Sequence, residues 1–122
     1  EIFLNCIPTK GSAYSIVKSK WIPFKASQDS IYKIENSKKK IYRSIQNDFI
    51  QIGHKITWDK DSIKWHDDFT KIDDTKIWSS LNRITGELNI IENNGPNSFS
   101  QKTLKISQSN QWWKCSKIDR KF

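Results

Sequence analysis

Residues 78–91 are the segment that most constrains how this chain can fold. They read WSSLNRITGELNII, two arms rich in β-forming side chains on either side of a polar turn that ends at Gly86. Such a pattern is typical of a β-hairpin, because glycine adopts the positive φ that a tight turn needs. We therefore predict a hairpin in which Thr85 and Gly86 serve the turn and Arg83 pairs with Glu87 across it.

Short apolar segments of strand length, separated by polar turns, recur along most of the chain. Beside the hairpin, the sequence favours strands at residues 2–7, 31–34, 40–45, 49–52, 55–58, 62–65, 103–107 and 112–118. No convincing amphipathic helix separates these segments, so antiparallel pairing of consecutive strands is the simplest topology. We predict an all-β fold, an antiparallel up-and-down meander of about 8–9 strands that curls into a closed or nearly closed barrel.

The N-terminal part interrupts this regular pattern. Pro8 and Gly11 are expected to end the first strand, because proline lacks the backbone N–H that a sheet ladder needs. Residues 13–18 fit either a strand or one short helix, and Pro23 prevents a helix from continuing. We therefore predict that residues 12–30 form an irregular lid or strap.

One hydrophobic core fits the length of the chain. It has 122 residues, of which 35% are hydrophobic, and it contains no internal repeat that we can find. We therefore predict a single β-barrel-like domain over residues 1–122. The apolar residues are few but large, with six Trp, six Phe and three Tyr. We expect these rings, rather than leucines, to fill the interior.

The two cysteines lie in the first and the last apolar segments, at Cys6 and Cys115. If these two strands are neighbours, as closure of a barrel requires, the cysteines come within bonding range. We therefore predict a Cys6–Cys115 disulfide in an exported protein, periplasmic or secreted. We interpret the start at Glu1, without methionine, as the result of signal-peptide removal. The sequence has no apolar run long enough to predict a transmembrane helix. The alternative is two separate buried thiols in a cytosolic protein.

The net charge of +8 is unevenly distributed, with basic residues prominent in 1–60 and 102–122 and aspartates in 59–74. Such a charge favours anionic partners such as nucleic acid, acidic glycans or anionic lipid head groups. Solvated lysines that protect edge strands would give the same pattern. The adjacent rings at 112 and 113 must face opposite sides of a strand, so one is exposed beside lysine. The candidate partner-binding residues are Trp112, Trp113, Lys114, Lys117, Lys38, Lys39 and Lys40.

The sequence contains none of the common catalytic or cofactor-binding motifs. Adjacent carboxylates, as at Asp67 and Asp68, point apart in a strand, whereas acid-base catalysis needs two carboxyl groups on one substrate atom. His54 and His66 supply fewer nitrogen or sulfur ligands than a zinc site requires. We therefore predict a non-enzymatic protein with no catalytic residue, no bound metal and no cofactor.

The segment NRITG at residues 82–86, together with WKC at 113–115, resembles a pattern in small exported bacterial or phage-associated β-domains. Those domains begin near a cysteine, carry an Arg-x-Thr-Gly turn preceded by Asp or Asn, and end with a second cysteine near the C-terminus. The resemblance implies a β fold and an exported location. Most such domains have no assigned function, so it implies no activity.

Together these features predict an exported, non-enzymatic binding or interaction module for an anionic or protein partner. We expect a monomer, and nucleic acid is the less favoured anionic partner because the protein is expected to be exported. Two alternatives remain open. One is a small-molecule carrier with a ligand cavity inside the barrel, and the other is an accessory structural subunit of a larger assembly.

Overall fold

Ten strands form one antiparallel sheet in the computed structural model, which describes residues 1–119. In chain order they are β1 (Ile2–Ser15), β2 (Lys20–Pro23), β3 (Ser30–Glu35), β4 (Lys40–Ile45), β5 (Asp48–Ile52), β6 (Lys55–Trp58), β7 (Ser62–Asp68), β8 (Thr75–Asn82), β9 (Glu87–Asn94) and β10 (Ile106–Ile118). A π-helical turn at Ser100–Leu104 precedes β10. The strand predicted at 103–107 is therefore wrong in its first part. Arg120 and Lys121, the end of the predicted basic region, lie outside the described residues.

The strands follow the order β5-β4-β3-β1-β10-β9-β8-β7-β6, and β2 pairs with the second half of β1. The N-terminal strand β1 and the C-terminal strand β10 meet in the middle of the sheet. On either side of them lie two flanks, β3–β5 and β6–β9, in which strands that follow one another in the chain are mostly neighbours. The sheet curls into a half-barrel that is open rather than closed. The predicted all-β antiparallel meander is confirmed.

The two edges of the sheet, β5 and β6, belong to one continuous stretch of chain. Because every step across the sheet is antiparallel, these two edge strands run in the same direction. Parallel neighbours need a crossover of roughly a dozen residues, whereas only Gly53 and His54 separate β5 from β6. The stretch therefore pairs with β4 first and with β7 afterwards, and it bends at Gly53, whose φ is 89°. Strand direction thus explains why the barrel stays open.

The centre of the sheet is the long ladder between β1 and β10, in which Cys6 lies directly opposite Cys115. The two residues form the predicted disulfide. The predicted hairpin of β8 and β9 is also present, and its turn contacts the same region. The carbonyl of Gly86 accepts a hydrogen bond from the N–H of Cys115 at 2.8 Å. The hairpin turn and the disulfide are therefore fixed relative to each other.

Arg83 connects the turns at one end of the half-barrel, which we call the base. Its Nη1 donates to the carbonyl of Asp59 at 2.7 Å, and its Nη2 donates to Oδ1 of Asn36 at 3.4 Å. The predicted ion pair with Glu87 is not formed within residues 1–119. The guanidinium serves neighbouring turns instead of its own.

The sequence predicts that Pro8 and Gly11 end the first strand, but this strand continues through both residues to Ser15. A register shift between Pro8 and Lys10 accommodates the missing N–H of proline. The strap is shorter than predicted and covers residues 24–29. The N–H of Phe24 donates to the carbonyl of Gly11 at 3.0 Å, and a Cβ at Gly11 would collide with the Phe24 carbonyl. Glycine therefore permits the strap to approach β1.

The hydrophobic core fills the base of the half-barrel. Aliphatic side chains form half of it, and its buried members are Cys6, Tyr32, Ile34, Ile41, Ile63, Trp65, Leu81, Leu88, Trp113 and Cys115. The rings of Tyr32 and Trp65 meet from opposite walls, with centroids 6.2 Å apart. Other rings lie on the surface, since Trp21 is 50% exposed. The expectation that rings rather than aliphatic residues fill the interior is therefore only partly met.

Candidate binding site in the half-barrel

A cavity of about 270 Å³ lies above the core, inside the half-barrel. A second space of about 240 Å³ adjoins it and shares Ala26, Glu92 and Gln111 with its lining. Pockets for small molecules commonly measure about 300–1,000 Å³ and combine apolar walls with a few polar groups. The polar part of the main lining consists of Tyr32, Arg43, Asp67, Ser79, Glu92, Gln111 and Trp113.

Asp67 holds the bend between the two edge strands. This buried carboxylate accepts a hydrogen bond from the N–H of Gly53 at 2.8 Å, and the same oxygen lies 3.4 Å from Nδ1 of His54. The bend exposes no free N–H to the cavity at this point because the carboxylate satisfies it. Asp67 is thus engaged in shaping the wall.

Arg43 and Glu92 bring opposite charges to the cavity from β4 and β9. Nη2 of Arg43 donates to Oγ of Ser30 at 3.4 Å. Burial raises the pKa of Glu92, an effect that Arg43 opposes and Asp73 reinforces. Within residues 1–119, neither Arg43 nor Glu92 forms an ion pair. Both groups therefore remain available to a molecule in the cavity.

Trp113 is a cavity-lining residue whose buried donor is unpartnered within residues 1–119. Its side chain is only 6% exposed, it lines the cavity, and its Nε1 has no hydrogen-bond partner in the described part of the chain. A buried donor without a partner costs roughly 1–3 kcal/mol, and such groups are few in native proteins. Beside it, Oε1 of Gln111 accepts the N–H of Ala26 at 3.0 Å and fastens the strap to β10. Gln111 thus has a structural role in the protein, whereas the indole N–H of Trp113 has no partner among the described residues that would explain its burial.

The side of the half-barrel that does not close gives access to the cavity. Between β5 and β7 lies an open space of about 570 Å³ that shares Ile45, Ile52, Asp67 and Phe69 with the cavity lining. Ile45 is exposed, and the ring of Phe69 packs edge-on against His54 with centroids 6.3 Å apart. The entrance is thus mainly apolar, and the cavity behind it combines apolar walls with the polar side chains of Arg43, Glu92 and Gln111.

The residues predicted from the sequence as partner-binding do not form one surface. Trp113 faces the cavity and Trp112 the outer face, as expected for neighbours in a strand, and Nζ of Lys10 lies 5.3 Å from the centroid of the Trp112 ring. Nζ of Lys114 donates to the carbonyl of Thr85. Lys38 and Lys39 lie in the turn before β4, where Nζ of Lys38 is 3.6 Å from the carboxylate of Glu35. Lys40 is the first residue of β4, and Lys117 is exposed near the end of β10.

Sequence reasoning did not select Glu92 and Gln111 for the site. A signal was present in the alternation of the strands. Glu92 follows Leu88 and Ile90 at spacing two, and Gln111 precedes Trp113 at the same spacing, so each is a polar residue at an inward position. An inward polar residue in an otherwise apolar row indicates either a buried network or a ligand site.

Comparison of the chain with protein-family models, with curated proteins and with solved structures gave no match. The resemblance of residues 82–86 and 113–115 to exported β-domains stays a prediction. Within residues 1–119, no helix is long and apolar enough to cross a bilayer. The same part of the chain holds no group of three or more His, Cys, Asp or Glu residues arranged to bind a metal ion.

Proposed function

We propose that this protein binds a small polar molecule in the cavity of the half-barrel and catalyses no reaction on it. This proposal is carried by the cavity lining, which combines Trp113, whose buried indole N–H has no partner within residues 1–119, with Arg43 and Glu92, which form no ion pair in the same part of the chain. The sequence favoured an anionic or protein partner and left a small-molecule carrier open. The cavity supports the carrier.

The lining indicates the chemistry of the ligand. An acceptor such as a carboxylate or carbonyl oxygen would satisfy both the indole N–H of Trp113 and the guanidinium of Arg43. A hydroxyl or amino group would suit the carboxyl group of Glu92, and an apolar portion would face Ile52 and Phe69 at the entrance. A small hydroxy acid or amino acid combines these features.

The location belongs to the same proposal. A disulfide such as Cys6–Cys115 persists in oxidising surroundings and is rare in the reducing cytosol. We infer that the protein is exported and meets its ligand outside the cytoplasm. Resistance of the disulfide to reduction by a glutathione buffer of cytosolic potential would test this part.

The experiment measures thermal unfolding against a panel of small hydroxy acids, amino acids and simple carboxylates. A ligand that binds only the folded state raises the unfolding temperature, and the rise grows with the logarithm of the ligand concentration relative to Kd. Trp113→Phe keeps an aromatic side chain, removes the N–H and is smaller, so we expect an affinity loss of about tenfold, and the unfolding temperature of the variant without ligand measures the stability lost with the smaller ring. Arg43→Gln should weaken binding of carboxylates most.

Trp112→Phe is the matched control, because it makes the same change at the next residue on the opposite face. It should leave the affinity unchanged. The proposal is wrong if no member of the panel raises the unfolding temperature, or if the two tryptophan variants bind alike.

A further inference from the structure

A groove of about 340 Å³ crosses the outer face of β6, β7, β8 and β9, on the other side of the sheet from the cavity. Two rows of side chains, aligned by the strand register, form its walls. The first row consists of Lys55, His66, Trp78 and Ile91. The second row, two residues away along each strand, consists of Thr57, Lys64, Ser80 and Asn89. We call this feature the outer groove.

The dimensions of the outer groove follow from strand geometry. Two residues along a strand separate its walls by about 7 Å, and four strands give it a length of roughly 14 Å. One end is closed where Nδ2 of Asn89 donates to Oδ1 of Asn110 at 2.6 Å, a bond that joins the second row to the first. The other end is open at the edge strand β6. An extended chain can therefore enter from the sheet edge.

The two walls differ in chemistry. In the first row, Trp78 and Ile91 are each 39% exposed, and the ring of Trp78 stacks on His66 with centroids 4.9 Å apart. The second row offers hydroxyl, amide and ammonium groups. The lining includes Lys55 and Lys64 but no carboxylate. The outer groove thus has an apolar wall, a hydrogen-bonding wall and a positive charge.

We propose that the outer groove binds a short stretch of an acidic polysaccharide. A sugar ring has an apolar C–H face and a rim of hydroxyl groups, which match the Trp78 wall and the Ser80–Asn89 wall. Carboxylate or sulfate groups on the sugar would pair with Lys55 and Lys64 near the open end. This inference rests on the outer face alone and is independent of the cavity.

The arrangement of rings favours a glycan over a single-stranded nucleic acid. Strand binding needs successive rings on which successive bases stack. The lining of the outer groove contains two tryptophans, but Trp65 is only 4% exposed, and one face of Trp78 is covered by His66, which leaves a surface for one sugar ring. Trp112 lies beyond Asn89 in the second row, where Lys10 approaches its ring.

The test is a titration of the full chain, by calorimetry at low and high salt, with an oligomer of uronic acid. An uncharged oligomer of comparable length and a single-stranded oligonucleotide serve as competitors. We expect the uronate oligomer to bind, Trp78→Ala to weaken it at least tenfold, and the Lys55→Gln/Lys64→Gln double variant to remove most of the salt dependence.

Controls separate the outer groove from general effects. Trp21→Ala removes another exposed tryptophan and Lys18→Gln/Lys20→Gln removes two exposed lysines, and neither should change binding. Thermal unfolding of each variant confirms that it folds. Equal binding of the uncharged oligomer, stronger binding of the oligonucleotide, or unchanged affinity of folded Trp78→Ala would each overturn the proposal. Loss of binding in Trp113→Phe would assign the glycan to the cavity and overturn it too.

Discussion

Arg83 reaches Asn36 across the base of the open half-barrel, with Nη2 of the guanidinium 3.4 Å from the side-chain oxygen. One residue lies in the turn after β8 and the other in the turn after β3, on opposite flanks of the sheet. Nη1 of the same guanidinium holds the carbonyl of Asp59 at 2.7 Å. Side-chain contacts thus tie together flanks that the edge strands leave unpaired.

Loss of this contact should weaken the fold measurably. We expect Arg83→Ala to lower the free energy of unfolding by about 1 kcal/mol, because hydrogen bonds to two turns disappear from an exposed site. Arg83→Lys should recover only part of the loss, since an ammonium group lacks the planar fork of guanidinium. Urea denaturation measures both, and Lys60→Ala in the same region is the control. Equal stability of Arg83→Ala and the unaltered protein would show that the contact contributes nothing.

Removal of the disulfide should cost more. Cys6 and Cys115 are 109 residues apart in the chain, and a link over such a loop stabilises by roughly 2–5 kcal/mol. The Cys6→Ser/Cys115→Ser variant should therefore unfold at a lower denaturant concentration, as should the reduced native protein. Intact mass must rise by two hydrogen atoms on reduction. A mass that does not change would mean that the bond is not formed.

Gly86→Ala should destabilise the central β1–β10 ladder, although Gly86 lies in the turn between β8 and β9 and not in the ladder itself. Gly86 has a φ of 79°, and a Cβ there would collide with the carbonyl of Cys115. We expect a loss of about 1–3 kcal/mol in the free energy of unfolding. Ile84→Ala, in the same turn at a side chain that is 75% exposed, should change it by less than about 0.5 kcal/mol. Similar effects of the two variants would argue against the collision.

Glu92 should make stability depend on pH. Burial raises its pKa in the folded state, so its carboxyl group favours folding below its unfolded pKa, and this contribution is lost as the pH rises through the folded pKa. Glu92→Gln lacks this loss. We expect the variant and the native protein to be similar near about pH 4 and the variant to be the more stable near about pH 8. Denaturation across this range measures the difference.

Glu87→Gln is the control for that experiment, because Glu87 lies exposed on the same strand. Its stability should follow that of the native protein at every pH. A Glu92→Gln variant that gains nothing at high pH would show that the ionised carboxylate is not penalised in the folded protein.

Local chemistry explains which features the sequence could reveal. The hairpin around Gly86 depends on a turn residue and alternation, both of which are visible in the sequence, and the Cys6–Cys115 bond followed from the meander. Whether the barrel closes depends instead on strand count. Lys20–Pro23 forms a strand that pairs only with the far half of β1, which leaves nine strands in the path and the two edges running in the same direction.

The cavity was harder to foresee for a similar reason. Alternation shows that Glu92 and Gln111 point inward, but it does not show where the core ends and a space begins. That boundary depends on the curl of the sheet and on the strap, which Gln111 holds through Ala26. The contacts of Arg83 were equally hidden, because they join three turns that are distant in the sequence and meet only in the folded chain.

The pairing of β1 with β10 at the centre of the sheet has a consequence for the order of folding. Proteins dominated by contacts between distant residues fold slowly, because loop closure precedes the stabilising contacts. The hairpins β3–β4 and β8–β9 connect residues close in the chain, whereas the central ladder joins positions 91 to 115 residues apart. We expect the hairpins of the two flanks to form early and the β1–β10 ladder to form last. A chain still emerging from a ribosome or a translocation channel would therefore hold two separate hairpin units that the central ladder does not yet join.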